Sequence, residues 1–226
     1  MEYVAVIPAR GGSKRILRKN IKDFAGKPMI AHAIGIAKSA GIFGRIIVSS
    51  DDVEIAEVAK NYGAEVPFMR PSELSDDFCA TIPVIRHAIS VLKIREEDAV
   101  CCIYPTAVLL APQTLTEAAK KLESAQGYLF GAVAYDYPPQ RSFTLRTDSP
   151  SMLFSEHFNT RSQDLEPIFH DAGQFYFARA RSWQEQDNIF APPSKAIKLP
   201  QKRVQDIDTM EDFELALLKY RLLESS

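Results

Sequence analysis

Apolar positions along the chain alternate between short β-rich runs and segments of helical period. The first run, Tyr3 to Ile7, ends in turn residues and predicts a buried strand. After the turn Gly26-Lys27-Pro28, whose proline suits a helix opening, Met29, Ile30, Ala33, Ile34 and Ala37 recur at helical spacing until Gly41. Arg45 to Ser49 reads as the next strand. Ser50-Asp51-Asp52 then caps a helix carrying Val53, Ile55, Ala56, Val58 and Ala59 up to Gly63. A short third strand is expected over 65–68, and a polar loop over 71–80. Thr81 and Pro83 open a helix with Val84, Ile85, Ala88, Ile89 and Leu92 on one face. Asp98 to Tyr104 is continuously apolar after its first residue, as expected of a central strand covered on both faces. A helix over 112–122 and a strand over 128–135 follow.

This alternation predicts an α/β fold with a doubly wound, mostly parallel sheet. From Pro138 the rhythm changes to short β-prone pieces without helices between them, which predicts a hairpin arm over 138–171. A core strand over 174–177, a further strand over 195–199 and a final helix beginning at Asp208-Thr209 complete the pattern. No linker or repeat divides the chain, so residues 1–226 are expected to form one domain.

Composition adds exclusions. With 27 basic and 29 acidic residues the net charge is -2, which argues against a general nucleic-acid or anionic-membrane surface. Cys79, Cys101 and Cys102 cannot build a disulfide framework, and Cys101-Cys102 sits in an apolar run where buried thiols are common. The longest uncharged apolar stretch, 99–112, is interrupted by Pro105 and falls short of the roughly 20 residues needed to span a bilayer. The first apolar run meets Arg10 too early for a signal sequence. The expectation is a cytoplasmic protein.

Against this near-neutral background one stretch stands apart. Between Glu2 and Asp23 there is no acid, while Arg10, Lys14, Arg15, Arg18, Lys19 and Lys22 crowd the loop that leaves the first strand. Gly11 and Gly12 permit close backbone approach, and their N–H groups with surrounding cations suit phosphate oxygens. The loop lacks the G-x-x-x-x-G-K-[ST] spacing of an ATPase P-loop and the G-x-G-x-x-G of a dinucleotide site. It is therefore expected to be a nucleotide triphosphate loop of another kind.

Among acids, Asp206-Ile207-Asp208 is the sharpest candidate. In extended chain its two carboxylates share a face about 7 Å apart, a spacing that suits Mg²⁺ completed by phosphates and water. Asp208 or Thr209 also suits a helix N-cap, and Thr209-x-x-Asp212 resembles a capping box, so the local pattern leaves both uses open. Asp51 and Asp52 suit a ribose, a metal or the cap of the next helix. His32 and His87 fall in helices and read as structural, and His170 beside Asp171 as a group that could titrate or bind substrate.

Together, Ile7-Pro-Ala-Arg-Gly-Gly-Ser-Lys14 with Lys19-Asn20, Val48-Ser-Ser-Asp-Asp52, Pro105-Thr106, Gln163-Asp-Leu165 and Asp206-x-Asp208 resemble the CMP-sialic acid synthetase family of cytidylyltransferases. The likeness spans essentially the whole chain. Lys14-Arg-Ile16, Cys101-Cys-Ile-Tyr104, Arg161-Ser-Gln-Asp-Leu165 and His170-Asp-Ala-Gly-Gln-Phe-Tyr176 look more like the pseudaminic acid branch than the N-acetylneuraminate branch, where Gln usually stands in place of Tyr104. Leu17 departs from that branch, which often has Pro there.

The resemblance implies a nucleotide-diphospho-sugar transferase-like fold and transfer of CMP from CTP to a nine-carbon 2-keto sugar acid. It assigns Ala9, Arg10, Gly11, Gly12, Ser13, Lys14, Lys19 and Asn20 to the nucleotide, with Arg10 and Lys19 also catalytic. Asp206 and Asp208 would hold Mg²⁺ and take part in catalysis. Tyr104, Arg161, Gln163, His170 and Gln174 would face the sugar acid, and the arm would form a homodimer. Alternatives are the same reaction on N-acetylneuraminate or legionaminate, a nucleotide sensor without turnover, and a basic-loop RNA-binding module.

Overall fold

The structure, a computed structural model, describes residues 1–225. In chain order the elements are β1 (Tyr3–Pro8), β2 (Asp23–Phe24), β3 (Lys27–Pro28), α1 (Met29–Ala40), β4 (Arg45–Ser49), α2 (Val53–Asn61), α3 (Thr81–Leu92), β5 (Ala99–Ile103), α4 (Pro112–Leu122), β6 (Leu129–Ala134), β7 (Phe143–Arg146), β8 (Ser149–Met152), β9 (Phe169–Arg179), α5 (Ala180–Glu185), β10 (Lys195–Lys198) and α6 (Met210–Glu224). The main sheet runs β10-β6-β9-β5-β1-β4. β1 pairs in parallel with β4 and β5, and β10 with β6, whereas β9 is antiparallel to both its neighbours. The fold is thus the expected mostly parallel α/β sheet, with one reversed strand inserted between β5 and β6.

Alternate residues of β1 explain why the sheet is buried on both faces. Ala5 and Ile7 enter a core with Ile30 and Ile34 of α1, Ile55 of α2 and Leu115 of α4. Val4 and Val6 enter the opposite core with Ile85 of α3, Val100, Tyr176 and Trp183. Trp183 is fully buried and donates its indole N–H to Val100 O at 3.0 Å, which satisfies the one polar group its burial would strand. Cys101 and Cys102 are free, buried thiols whose burial raises their pKa, so both act as small apolar core residues.

Two departures from the sequence pattern have local reasons. Residues 65–68 do not form a strand: Glu65 and Met69 each make an isolated bridge to Ile47 and Ser50, and the intervening Pro67 has no N–H to continue a ladder. The short helix α5 has no counterpart in the periodicity, because six residues are too few to display one.

The sheet changes direction at its centre. From β1 the chain crosses by α1 to β4 on one side, then returns past β1 to β5 on the other. The carboxyl ends of β1 and β5 therefore diverge, leaving the crevice that open α/β sheets use for ligands.

Candidate active site

A cleft of about 230 Å³ opens at that crevice, lined by Arg10, Ser13, Lys14, Arg15, Lys19 and Asn20 of the basic loop. Arg70, Cys79 to Thr81 and Tyr104 to Thr106 complete it. The loop begins firmly anchored, since buried Ala9 donates its N–H to Ser49 O at 2.9 Å. Asn20 is buried and donates from Nδ2 to Arg10 O at 2.9 Å, tying the far end of the loop to its start.

Carboxylates from other elements hold the loop's cations. Arg10 and Lys14 each meet one oxygen of Asp77 at 2.5 Å, and the two cations, Lys14 first, hold the Asp77 carboxyl below the usual range. Arg18 sits in the left-handed region at φ 54°, an unfavourable conformation for a non-glycine residue. Its guanidinium binds Asp52 through both nitrogens and also meets Glu54, which holds the bend in place. The Asp52 carboxyl is lowered chiefly by that guanidinium, and Asp52 also caps α2 by accepting from Ile55 N at 3.0 Å.

The role expected of the paired glycines needs correction at one of them. Gly11 does not hold its N–H out to a ligand: it donates to Asp51 Oδ1 at 3.0 Å. A Cβ at Gly11 would stand 2.6 Å from Asp52 Oδ2, so glycine is required there by the aspartate packed against it. Only Gly12 has open space where a side chain would begin.

The acidic pair approaches the loop from the other end of the chain. Lys19 Nζ donates to Ile207 O at 2.6 Å and lies 3.5 Å from Asp208 Oδ1, which Arg15 also reaches at 2.8 Å. The cap of α6 is Thr209, in a reciprocal capping box with Asp212. Asp206 and Asp208 are therefore not needed as the cap. Asp206 is open to solvent on its outer side, yet the protein packed around its carboxyl and then the charge of Asp208 raise its pKa. Such an acidic pair favours a cation between or beside its members. Among the described residues no cluster of three or more His, Cys, Asp or Glu side chains is placed to hold a metal ion. Two carboxylates alone fit Mg²⁺, which usually takes its other ligands from substrate phosphates and water.

The expected sugar-side residues are scattered. Tyr104 lines the cleft, its hydroxyl hydrogen-bonded to Thr81. Gln174 is buried behind it: its backbone O accepts from Tyr104 N at 2.9 Å and its Nε2 donates to Arg203 O at 2.6 Å. His170 is exposed on β9 against Tyr135, with ring centroids 4.6 Å apart. Arg161 and Gln163 lie in the arm, where Arg161 pairs with Asp164 at 2.7 Å. Within one chain these last three do not join the cleft.

Arg70 has no signal in the linear pattern. Its guanidinium is 4% exposed, its Nε and Nη2 have no hydrogen-bond partner, and its nearest carboxylate oxygen, on Asp51, is 3.6 Å away. Burial lowers its pKa, though not enough to discharge an arginine at neutral pH. A buried cation with unused donors facing a cleft is a ready anchor for a ligand oxygen.

Comparison with known proteins agrees with this geometry. A solved CMP:2-keto-3-deoxy-manno-octonic acid synthetase in complex with CTP superposes with a TM-score of 0.72 over 100% of both chains, at 15% identity, and so shares the fold. A pseudaminic acid cytidylyltransferase of Campylobacter jejuni is 46% identical over 100% of this chain and 99% of its own. A CMP-N,N'-diacetyllegionaminic acid synthase of Legionella pneumophila is 34% identical over 95% and 94% of the two chains. The family profile described as Cytidylyltransferase matches residues 4–220, and the chain belongs to that cytidylyltransferase family.

Proposed function

We propose that the protein transfers CMP from CTP to the anomeric hydroxyl of a nine-carbon 2-keto sugar acid, with pseudaminic acid as the substrate. The observation that carries this reading is the bridge from Lys19 to Ile207 O and Asp208. It joins a cationic loop that lines the cleft to an acidic pair nearly the whole chain away.

In the reaction the sugar's hydroxyl oxygen attacks the α-phosphorus of CTP. A new P–O bond forms, the bond to the β-phosphate bridge breaks, and pyrophosphate leaves as the hydroxyl proton is lost. Such transfers depend on positioning and on stabilising charge. Arg10, Lys14 and Lys19 are cast as partners of the triphosphate, with Lys14 and Arg10 exchanging Asp77 for phosphate. Ser13 and the Gly12 backbone add donors, Ala9 and Asn20 keep the loop in shape, and Arg70 anchors a nucleotide oxygen. Asp206 and Asp208 would hold a Mg²⁺ that, when bound, neutralises charge on the phosphates.

The arm is cast as the contact between two copies, which is how Arg161, Gln163 and His170 would approach a sugar site. The described helices include none long and apolar enough to cross a membrane. The location proposed for the protein is the cytoplasm.

The test is incubation with CTP and, separately, pseudaminic, N,N'-diacetyllegionaminic and N-acetylneuraminic acids, with and without Mg²⁺, following pyrophosphate release. Fastest release with pseudaminic acid and dependence on Mg²⁺ are expected. Preference for another acid would reassign the substrate. CTP binding without any release would instead identify a nucleotide sensor.

A further inference from the structure

Beside the cleft lies a second cavity of about 380 Å³ that shares Ala80, Thr81 and Tyr104 with it. Asp171, Tyr176 and Phe190 are among its other walls. Asp171 and Tyr176 are both on β9, an odd number of residues apart, and in a regular strand they would point to opposite faces. The pairing with β6 is irregular here: Phe130 stands opposite Tyr176 but Ala132 opposite Asp171, so β9 bulges between them. Gly173, at φ 60°, supplies the left-handed residue within the bulge. As a result the Tyr176 hydroxyl donates to Asp171 Oδ2 at 2.5 Å.

The hydrogen bond from Tyr176 to Asp171 has a fixed direction. Burial pushes the Tyr104 hydroxyl up to about 12 and raises that of Tyr176 as well, so both phenols keep their protons at neutral pH. An ionised carboxylate only accepts, so Tyr176 must donate to Asp171. Tyr104, whose hydroxyl is hydrogen-bonded to Thr81, packs edge-on against Tyr176 with ring centroids 5.6 Å apart. The other oxygen of Asp171, Oδ1, is buried without a hydrogen-bond partner. Unsatisfied buried acceptors are uncommon because they forfeit water without replacing it. Here the orphan belongs to a wall of a cavity that opens beside the nucleotide cleft.

We infer that Asp171 is a specificity-determining residue whose Oδ1 accepts a hydrogen bond from an N–H or O–H donor on the non-reacting part of the sugar acid. This deepens the function proposed above and rests on it. The negative charge of Asp171 also disfavours the sugar's own carboxylate in this cavity, so the substrate enters with its carboxylate toward the basic loop. Tyr176 acts as a positioning residue that fixes the aim of Asp171.

Steady-state kinetics with CTP and pseudaminic acid on Asp171→Ala, Asp171→Asn and Tyr176→Phe tests the inference, with calorimetric CTP binding as a second readout. Asp171→Ala is expected to raise KM for the sugar acid roughly ten- to a hundredfold, the loss of one hydrogen bond to a charged group, with CTP affinity within about twofold of wild type. Tyr176→Phe should raise the same KM by a smaller factor. Asp171→Asn keeps the shape of the side chain and reports on charge if the alanine variant is poorly folded; it too should raise KM for the sugar acid. An unchanged sugar KM in folded variants, or an equal loss of CTP affinity, overturns the role of Asp171. Absence of turnover by the wild-type protein on every acid would instead overturn the functional reading.

Discussion

The basic loop and the arm both leave the parallel scaffold, but they are completed in opposite ways. In the loop, Asp51, Asp52, Glu54, Asp77 and Asp208 reach in from three separate stretches of chain to receive the Gly11 N–H and the loop's cations. The loop is thereby shaped before any ligand arrives, and preorganised charge is what phosphoryl-type transfer requires. In the arm, β7 and β8 pair only with each other, and Phe143, Leu145 and Phe158 are 51%, 66% and 66% exposed. Clustered exposed apolar side chains are a common mark of an interaction surface, and a second copy is the occupant proposed for this one. One irregular segment is finished by its own molecule; for the other, a neighbour is proposed.

The comparison can be broken most forcefully at its acidic end. Asp208→Ala removes the carboxylate that meets Arg15 and Lys19, and turnover should fall at least about a hundredfold while circular dichroism stays native. Retention of normal turnover would refute the role given to the acidic pair. In the arm, Leu145→Glu combined with Phe158→Glu should convert a dimer to a monomer by light scattering, with a smaller loss of activity. A wild-type protein that is monomeric at micromolar concentration would remove the arm's proposed partner.

Asp206 offers a subtler test because its cost to stability and its use in catalysis have opposite signs. Its carboxyl pKa is raised in the folded state, so the native protein holds that proton more tightly than the unfolded chain. Stability is therefore lost as the pH rises past the ordinary aspartate value of 3.8, and the loss persists at neutral pH. Asp206→Asn should raise Tm at pH 7, lose that gain below about pH 4, and still reduce Mg²⁺-dependent turnover. The smallest effect is expected at Asp77, which occupies Arg10 and Lys14 where phosphate is proposed to bind. Asp77→Asn should lower KM for CTP about two- to fivefold, and less in high salt.

The order of strands and helices was legible because each leaves a period or a stop signal of its own: β4 and α4 fall on the residues their patterns mark out. The direction of β9 was not, since pairing with β5 and β6 is decided by partners far away in sequence. The site divides in the same way. Arg10, Lys14 and Lys19 announce themselves by crowding into an acid-free stretch. Asp77, Arg70 and Asp171 carry no such mark. The first matters because it neutralises two cations, the second because burial leaves its donors unused, and the third because a bulge turns it toward a tyrosine. Those properties exist only after folding. Even the glycine pair, plain in the sequence, concealed that Gly11 serves Asp51 and Asp52.

The central claim is that cations near the start of the chain and carboxylates near its end act on a single triphosphate. Calorimetric titration of CTP, with and without Mg²⁺, into the wild-type protein and an Asp206→Asn/Asp208→Asn double variant tests it most directly. Mg²⁺ should tighten CTP binding to the wild type and leave the double variant unaffected; equal tightening in both would contradict the account.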